Sequence, residues 1–253
     1  MIGSRPGRIW GLIAAQAAAR GGPVSAADAC AAAVAAVRVT GAWLSAASGG
    51  EAGHVVEVTD AVSEQLAELQ LTLGEGPSLD AAASGGPALA SDLGSADAAS
   101  RWPAFAPAAR RAGAAAIFVF PLQIGAIRAG VLGLYRVQPG PLSASGLGDA
   151  LVFADTATLL LLDAQAQAGG SPEVGTGAGA GGQPAGLALQ RAEIDQATGM
   201  LTEQLGTGIA DAFVRLRAYA YANDLRLTDV ARDIVARRLR LRRDPDLSGD
   251  GGA

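Results

Sequence analysis

The sequence is almost devoid of cysteine and histidine. It contains one cysteine, Cys30, and one histidine, His54. A single cysteine excludes an internal disulfide framework, and these two residues cannot supply the Cys/His cluster of a metal site. Phosphate-loop and nucleophile-elbow patterns are also missing. We therefore expect no metal, no cofactor and no enzymatic activity, and we expect Cys30 to be a buried, inert thiol.

Lysine is absent as well, and aromatic residues make up only 4% of the chain. All 19 basic side chains are arginine, and they are unevenly distributed along a chain of net charge -5. Residues 187–243 contain ten arginines and seven acidic residues, whereas the rest of the chain contains nine arginines and 17 acidic residues. A basic end on an acidic protein indicates a polyanionic partner, and the alternative is a helix with solvated arginines.

No uninterrupted apolar run reaches the roughly 18–20 residues that a membrane span requires. A shorter apolar run near the N-terminus imitates a signal peptide. Its apolar residues nevertheless follow the spacing of one helical face, namely Ile9, Leu12, Ile13 and Ala17. We therefore expect an amphipathic helix within an N-terminal extension at residues 1–24, no membrane partner and a cytoplasmic protein.

The pattern of residues 25–167 predicts helices interspersed with strands. Ser25 and Asp60 are both placed to cap helices. Pro121 weakens the strand that contains it and favours an edge or a bulge. The predicted elements are helices at 26–38 and 61–70, a helix restarting at Ser78, further helices at 102–113 and 150–166, and strands at 41–47, 54–59, 87–93, 116–123 and 130–137. This order predicts an α+β domain with helices packed on an antiparallel sheet.

The remaining residues predict a linker, three helices and a tail. Residues 168–186 are rich in glycine, with alanine, serine and proline, and they predict a flexible linker. Residues 244–253 predict a disordered tail. Thr228 is placed to cap the third helix. The helices are expected at 187–205, 208–223 and 228–242, with apolar faces formed by Ile194, Ala197, Leu201 and Leu205, by Ile209, Ala212, Phe213, Leu216 and Ala220, and by Leu227, Val230, Ala231, Ile234 and Val235.

Short motifs occur in a fixed order within residues 187–243. They are Ala197-x-Gly199-x-Leu201, Leu216-Arg217-x-x-Ala220 and Asp229-Val230-Ala231, together with Arg191, Ile194, Gly206, Ala212, Asn223 and Leu227. In these residues and spacings the segment resembles an ANTAR domain, which is a small all-α three-helix bundle. The resemblance implies binding to paired RNA stem-loops in nascent transcripts, which disfavours a terminator hairpin.

Arginine suits such a partner because its guanidinium group donates two hydrogen bonds to a phosphate and stacks on unpaired bases. The family often has lysine where Thr198 stands, so one phosphate contact is expected to be missing. A helix-turn-helix that binds DNA is the competing interpretation, but it needs several polar base-reading groups at the start of its recognition helix. The candidate RNA-binding residues are Arg191, Thr198, Arg217, Asn223, Arg232 and Arg238.

Residues 25–167 contain GAWL at 41–44, LTLGEGPSLDA at 71–81, PALASDL at 87–93, RWP at 101–103 and FPLQIGAIRAGVLGLYR at 120–136. In these motifs and in the order of its elements the segment resembles a GAF domain. The resemblance implies a domain that senses a small molecule or mediates dimerisation. The candidate ligand pocket is formed by Leu73, Gly74, Glu75, Gly76, Trp102 and Phe120. An ordinary turn at the glycines and a core position for Trp102 are the alternatives.

The two resemblances together predict a homodimeric, RNA-binding transcription antitermination regulator. Its GAF-like domain would sense a small molecule or set the geometry of the dimer. A ligand-independent dimeric interaction or scaffold protein is the alternative function, and a DNA-binding transcription factor is a further one.

Overall fold

The structure of the protein is a computed structural model that describes residues 4–48, 51–169, 185–223 and 225–241. The chain divides into two compact units, Met1–Ala188 and Leu189–Ala253. Most of the predicted linker at 168–186, and all of the predicted tail at 244–253, lie outside the described residues.

A five-stranded antiparallel sheet forms the centre of the N-terminal unit. Both predicted hairpins are present, and their inner strands pair with each other to join them. The predicted α+β class is therefore confirmed. The strands are β1 (Gly41–Ser48), β2 (Glu51–Val58), β3 (Ala88–Ala90), β4 (Ala116–Ile124) and β5 (Ile127–Arg136), in the spatial order β2-β1-β5-β4-β3.

Helices cover both faces of this sheet, and each face has its own apolar core. Helices α1, α2 and α7 pack on one face, and helices α3 to α6 pack on the other. The helices of this unit are α1 (Arg5–Arg20), α2 (Ala26–Val37), α3 (Ala61–Leu73), α4 (Pro77–Ser84), α5 (Ala96–Arg101), α6 (Phe105–Arg111) and α7 (Ala144–Gly169).

Strand β4 divides its side chains between the two cores. Phe118 and Phe120 face the core formed with α1, α2 and α7, whereas Ile117 and Val119 face the core formed with α3 to α6. This division follows from the alternation of side chains along a strand. Pro121 lies beyond the three β4 residues that pair with β3, and a register irregularity follows it. The edge or bulge position predicted for this proline is therefore confirmed.

Helix α7 is long and apolar enough over residues 144–167 to cross a membrane, judged by length and composition. In this unit it packs against the sheet, and Phe153, Ala157 and Leu161 are buried beside β4. A core helix passes the same test of length and composition. The packing of α7 accounts for its apolar composition without a bilayer.

Helix α1 is anchored to α7 by packing and by ion pairs. The guanidinium groups of Arg5 and Arg8 lie 3.1 and 2.5 Å from the carboxylate of Asp149 on α7. The predicted amphipathic helix is confirmed, and three of its four predicted apolar residues are buried. Leu12 is the exception, because it lies on the solvent side and is 38% exposed.

The helix predicted over 102–113 is wrong in its first part. Trp102, Pro103 and Ala104 lie between α5 and α6, and the helix begins only at Phe105. The proline ring disfavours a helical conformation in the residue that precedes it, so the chain breaks at Trp102. Trp102 itself is 1% exposed, which confirms the core position.

The C-terminal unit consists of three helices, α8 (Ala185–Leu205), α9 (Ile209–Ala222) and α10 (Leu227–Val235). Their buried side chains form the predicted apolar faces, and the all-α three-helix bundle is confirmed. The buried residues are Ala197, Leu201 and Leu205 on α8, Ala212, Leu216 and Ala220 on α9, and Leu227, Val230, Ala231 and Ile234 on α10.

Two of the predictions for α9 and α10 are wrong at the helix starts. Ile209 is the first residue of α9 and is 68% exposed, so it does not belong to the buried face. Thr228 does not cap α10, because it lies inside the first turn and its side chain is buried. The N-cap is Arg226, which makes no side-chain capping bond.

The end of α10 also differs from the prediction. The helix ends at Val235 and does not continue to residue 242. Arg237 adopts a left-handed conformation with φ of 58°, and the N–H of Arg238 donates to the carbonyl of Asp233 at 2.8 Å. This is the hydrogen-bond pattern of a Schellman-type helix end. The arginines that follow Val235 therefore do not continue the face of α10.

Candidate functional site

The candidate RNA-binding residues are distributed over all three helices of the C-terminal unit. Thr198 lies on α8, where its side chain is buried and its hydroxyl donates to the carbonyl of Ile194 at 2.8 Å. Because this bond turns the hydroxyl toward its own helix, Thr198 contributes to packing in this structure. The side chain of Arg191 lies outside the described residues.

Arg232 links α10 to α8 through an ion pair. Its guanidinium group lies 3.4 Å from the carboxylate of Glu193 on α8 and 3.1 Å from that of Asp229 on α10. The Arg232 side chain is 48% exposed, so a second anion can reach it from solvent. The group is positioned by its acidic neighbours and remains accessible.

Arg238 follows α10 and pairs with Asp233 at 2.7 Å. Both side chains are about half exposed. Exposed pairs of this kind are worth about 0–1 kcal/mol, so a phosphate group can replace the carboxylate at little cost. The ion pair keeps the guanidinium of Arg238 close to the end of the helix.

Arg217 and Asn223 belong to α9 and its C-terminal cap. The guanidinium of Arg217 lies 5.8 Å from the ring centre of Phe213, one turn earlier on the same helix. The side-chain amide of Asn223 donates to the carbonyl of Tyr219 at 2.9 Å. The first contact orients an arginine along the surface of α9, and the second closes the end of the helix.

Glu75, one of the predicted pocket residues of the N-terminal unit, makes polar contacts with α6. A carboxylate oxygen of Glu75 accepts hydrogen bonds from the backbone N–H groups of Ala104 and Phe105, both at 2.7 Å. These N–H groups belong to the start of α6, where free donors favour a negative charge. Glu75 therefore caps α6 from the loop between α3 and α4, and the sequence gives no signal for this contact across 29 residues.

The two glycines beside Glu75 serve turns. Gly74 ends α3 in a left-handed conformation with φ of 71°. Gly76 has φ of 135°, and a Cβ atom there would lie 2.5 Å from Cγ of Gln70. The Gln70 side chain accepts from the N–H of Ser78 at 2.6 Å and so holds the start of α4. The ordinary-turn interpretation of these glycines agrees with this geometry.

Trp102 is held beside the same loop. Its indole N–H donates to Asp80 at 3.2 Å, and Arg101 pairs with the same carboxylate at 2.9 Å. Trp102 therefore lies with residues 73–76 on the α3 to α6 side of the sheet. Phe120 does not join them, because it faces the opposite core.

A small cleft lies elsewhere in this unit, near the β4–β5 hairpin. Its volume is about 10 Å³, which is about the space that one water molecule needs. The cleft is lined by Ala47, Ala82, Pro121, Leu122, Gln123, Arg128 and Gly130. None of the six candidate pocket residues lines it.

An ionic cluster with two buried carboxyl groups and one exposed arginine lies between α1, α2 and β2, and the sequence analysis did not predict it. Arg20 pairs with Asp28 at 2.7 Å, and Asp28 also accepts from Ser25. Glu57, on β2, is 4% exposed. Burial, reinforced by the nearby Asp28 carboxylate and opposed by Arg20, raises the pKa of Glu57 to about 7. Burial alone would raise the pKa of Asp28, but hydrogen bonds from Arg20 and Ser25 outweigh it and lower that pKa.

Cys30 lies near the same cluster. It is 1% exposed, which confirms the predicted buried thiol, and burial raises its pKa. A thiol that stays protonated is a poor nucleophile. Among the described residues, no group of three or more His, Cys, Asp or Glu side chains is arranged to hold a metal ion.

The ANTAR domain model matches residues 188–235, which span α8 to α10. Solved structures similar to this chain include GAF domains. The GAF domain of a phosphoenolpyruvate-protein phosphotransferase from Coxiella burnetii is 14% identical, covers 66% of this chain and 99% of its own, and has a TM-score of 0.49. The corresponding domain from Acinetobacter is 14% identical, with coverages of 65% and 95% and a TM-score of 0.48. The GAF-B domain of DevS from Mycobacterium smegmatis is 21% identical, with coverages of 57% and 96% and a TM-score of 0.42. No curated protein matches the chain.

Proposed function

We propose that this chain, which carries an ANTAR domain at residues 188–235, is a transcription antitermination regulator that binds paired RNA stem-loops. The observation that carries the proposal is the match of the domain model across all three helices of the C-terminal unit. Binding to stem-loops in a nascent transcript would compete with a terminator hairpin. Such a role places the protein in the cytoplasm.

The chemistry of the C-terminal unit supports an RNA partner. The exposed guanidinium groups of Arg232 and Arg238 form ion pairs with carboxylates. Phosphate oxygens accept hydrogen bonds from the same N–H groups, so an RNA phosphate can take the place of a carboxylate. Hairpin loops also present unstacked bases, which proteins read by stacking and by hydrogen bonds. Phosphate contacts would position the RNA, and loop bases would provide specificity.

We propose that the N-terminal unit receives a signal and that the signal acts by changing a homodimer formed through this unit. Helices α1 and α7 carry large apolar side chains on their solvent sides, namely Trp10, Leu151 and Leu159, which are 48%, 42% and 60% exposed. A second copy of the chain is the partner we propose for this surface. A dimer presents two RNA-binding units to two hairpins, and linked sites gain avidity when their spacing fits.

A small-molecule signal would act through the loop at residues 73–76. A ligand that enters between this loop and α6 must displace Glu75 from the backbone N–H groups of Ala104 and Phe105.

The function is tested by selecting RNA from a pool of two-hairpin sequences with the full-length protein over a salt series. We expect enrichment of paired hairpins. Arg217→Ala is expected to weaken binding about five- to tenfold, because it removes a charged contact. Arg111→Ala is the matched control, since it removes an exposed arginine of the N-terminal unit, and it is expected to bind like the wild type. Equal, weak binding to all RNA and DNA at low salt would contradict the proposal.

A further inference from the structure

The side of α9 that points away from its buried residues is unusually apolar. Val214, Ala218 and Tyr221 are spaced by four and three residues, which places them on one helical face. Val214 is 56% exposed and Tyr221 is 62% exposed. Solvent-facing positions of a helix normally carry polar or charged side chains. This face therefore has the character of a contact surface.

The other two helices present different surfaces. The exposed side of α8 carries the acidic residues Asp195 and Glu203, which repel a phosphate backbone. The exposed side of α10 carries Asp229 and Asp233, each paired with an arginine. By contrast, α9 has a single acidic residue, Asp211, at its start. Apart from Asp211 at the start of the helix, the exposed side of α9 carries no acidic side chain, so an RNA loop near Tyr221 meets little repulsion from this helix.

The surroundings of Tyr221 suit the face of a nucleobase. Its neighbours on the exposed side, Ala218 and Ala222, are too small to cover the aromatic ring. Arg217 lies one turn before Tyr221 on the same helix, and its guanidinium group lies 5.8 Å from the ring centre of Phe213. Aromatic rings next to guanidinium groups are the usual platforms for unpaired bases, because every base has a π-face and every nucleotide has a phosphate.

We propose that Tyr221 is the residue on which an unpaired base of the hairpin loop stacks. This inference rests on the proposed RNA-binding function and names the residue that reads the loop. The phosphate beside that base would lie near Arg217. Stacking requires only the aromatic ring, so the phenol hydroxyl is dispensable.

The proposal is tested with the full-length protein and the two-hairpin RNA selected above. We expect Tyr221→Ala to weaken binding about five- to a hundredfold, the effect of losing one stacked base. Tyr221→Phe is expected to stay within about twofold of the wild type. Val214→Ala is the matched control, because it trims an exposed apolar side chain on the same face without removing a ring. Circular dichroism and thermal melting of each variant verify that the unit remains folded.

Two further measurements separate stacking from a general loss of affinity. An abasic substitution at one loop position should weaken binding of the wild type but not weaken binding of Tyr221→Ala any further. The slope of log affinity against log salt should be unchanged in Tyr221→Ala, since stacking releases no counterions.

Three results would overturn the inference. Two of them would refute only the role of Tyr221, and the third would also refute the proposed RNA-binding function. Equal binding by wild type and Tyr221→Ala, or equal losses in Tyr221→Ala and Val214→Ala, would refute the role of Tyr221 and leave the RNA-binding function intact. Failure of the wild type to bind any hairpin would refute both.

Discussion

Glu57 is a carboxyl group that the fold holds almost entirely away from water. It faces α2 from the edge strand β2, and the nearest charges are those of Asp28 and Arg20. Arg20 is already committed to Asp28 through two hydrogen bonds. The positive charge of the cluster therefore stabilises Asp28 first, and Glu57 prefers the neutral, protonated form.

The stability of the N-terminal unit should consequently depend on pH through Glu57. The pKa of this group is about 7 in the folded chain against 4.5 ordinarily, so its contribution is fully present below pH 4.5 and is lost as the pH rises through 7. We expect Glu57→Gln to be more stable than the wild type by about 1–2 kcal/mol above pH 7, after allowance for solvent screening, and the gain to disappear near pH 4.5. Chemical denaturation at several pH values measures this difference. Asp155→Asn, an exposed change on α7, is the control, and a gain independent of pH would contradict the explanation.

Glu75 is a predicted pocket residue whose carboxylate has a structural role in the folded chain. Its place in the GEGP motif predicts a ligand pocket, whereas its carboxylate is bonded to the start of α6. A motif shows which residue types lie close in sequence. It does not show which backbone N–H groups another part of the chain brings to them, and here those groups come from residues 104 and 105.

At the scale of the elements, the starts of α2 and α3 follow directly from the sequence. Ser25 and Asp60 both lie at the predicted caps, because a cap is a local contact between a side chain and an N–H group two or three residues later. Helix ends depend on where the chain turns next. Arg38 and Arg237 each adopt a left-handed conformation at such an end, although glycine is the residue usually found there.

The C-cap of α2 offers a direct test of this strain. Arg38 has φ of 58° and an exposed side chain. We expect Arg38→Gly to stabilise the protein by about 1 kcal/mol, because glycine adopts this conformation without a Cβ clash. Arg38→Ala keeps the Cβ atom and is expected to give no gain. Thermal melting compares the two variants, and equal stabilities would show that the left-handed conformation of Arg38 carries no cost.

At the scale of the whole molecule, the exposed apolar surface of α7 has the clearest consequence. Leu159 is 60% exposed in the middle of a helix whose opposite side forms the core. A large apolar side chain in such a place marks a contact surface when others adjoin it. The proposed homodimer would cover it and bring two RNA-binding units to one transcript.

The homodimer is tested by Leu159→Arg. A buried guanidinium group at the interface would lack a partner, so we expect the dimer Kd to rise at least about tenfold. Leu89→Arg is the matched control, since Leu89 is 42% exposed on β3. Light scattering after size exclusion gives the molecular mass of each variant across a range of concentrations. A wild type that is monomeric throughout, or a dimer indifferent to both changes, would refute this interface.

The sequence by itself determined most of the helices and strands, the antiparallel hairpins and the motifs of an ANTAR domain. These features follow from periodicity and from capping, which act over a few residues. Only the tertiary structure decided that Phe120 lies on the far side of the sheet from Trp102, that Glu75 caps α6, and that Glu57 is buried beside Asp28. Each of these depends on which distant segments pack together, because a side chain's partners and its access to water are set by three-dimensional packing and not by its neighbours along the chain.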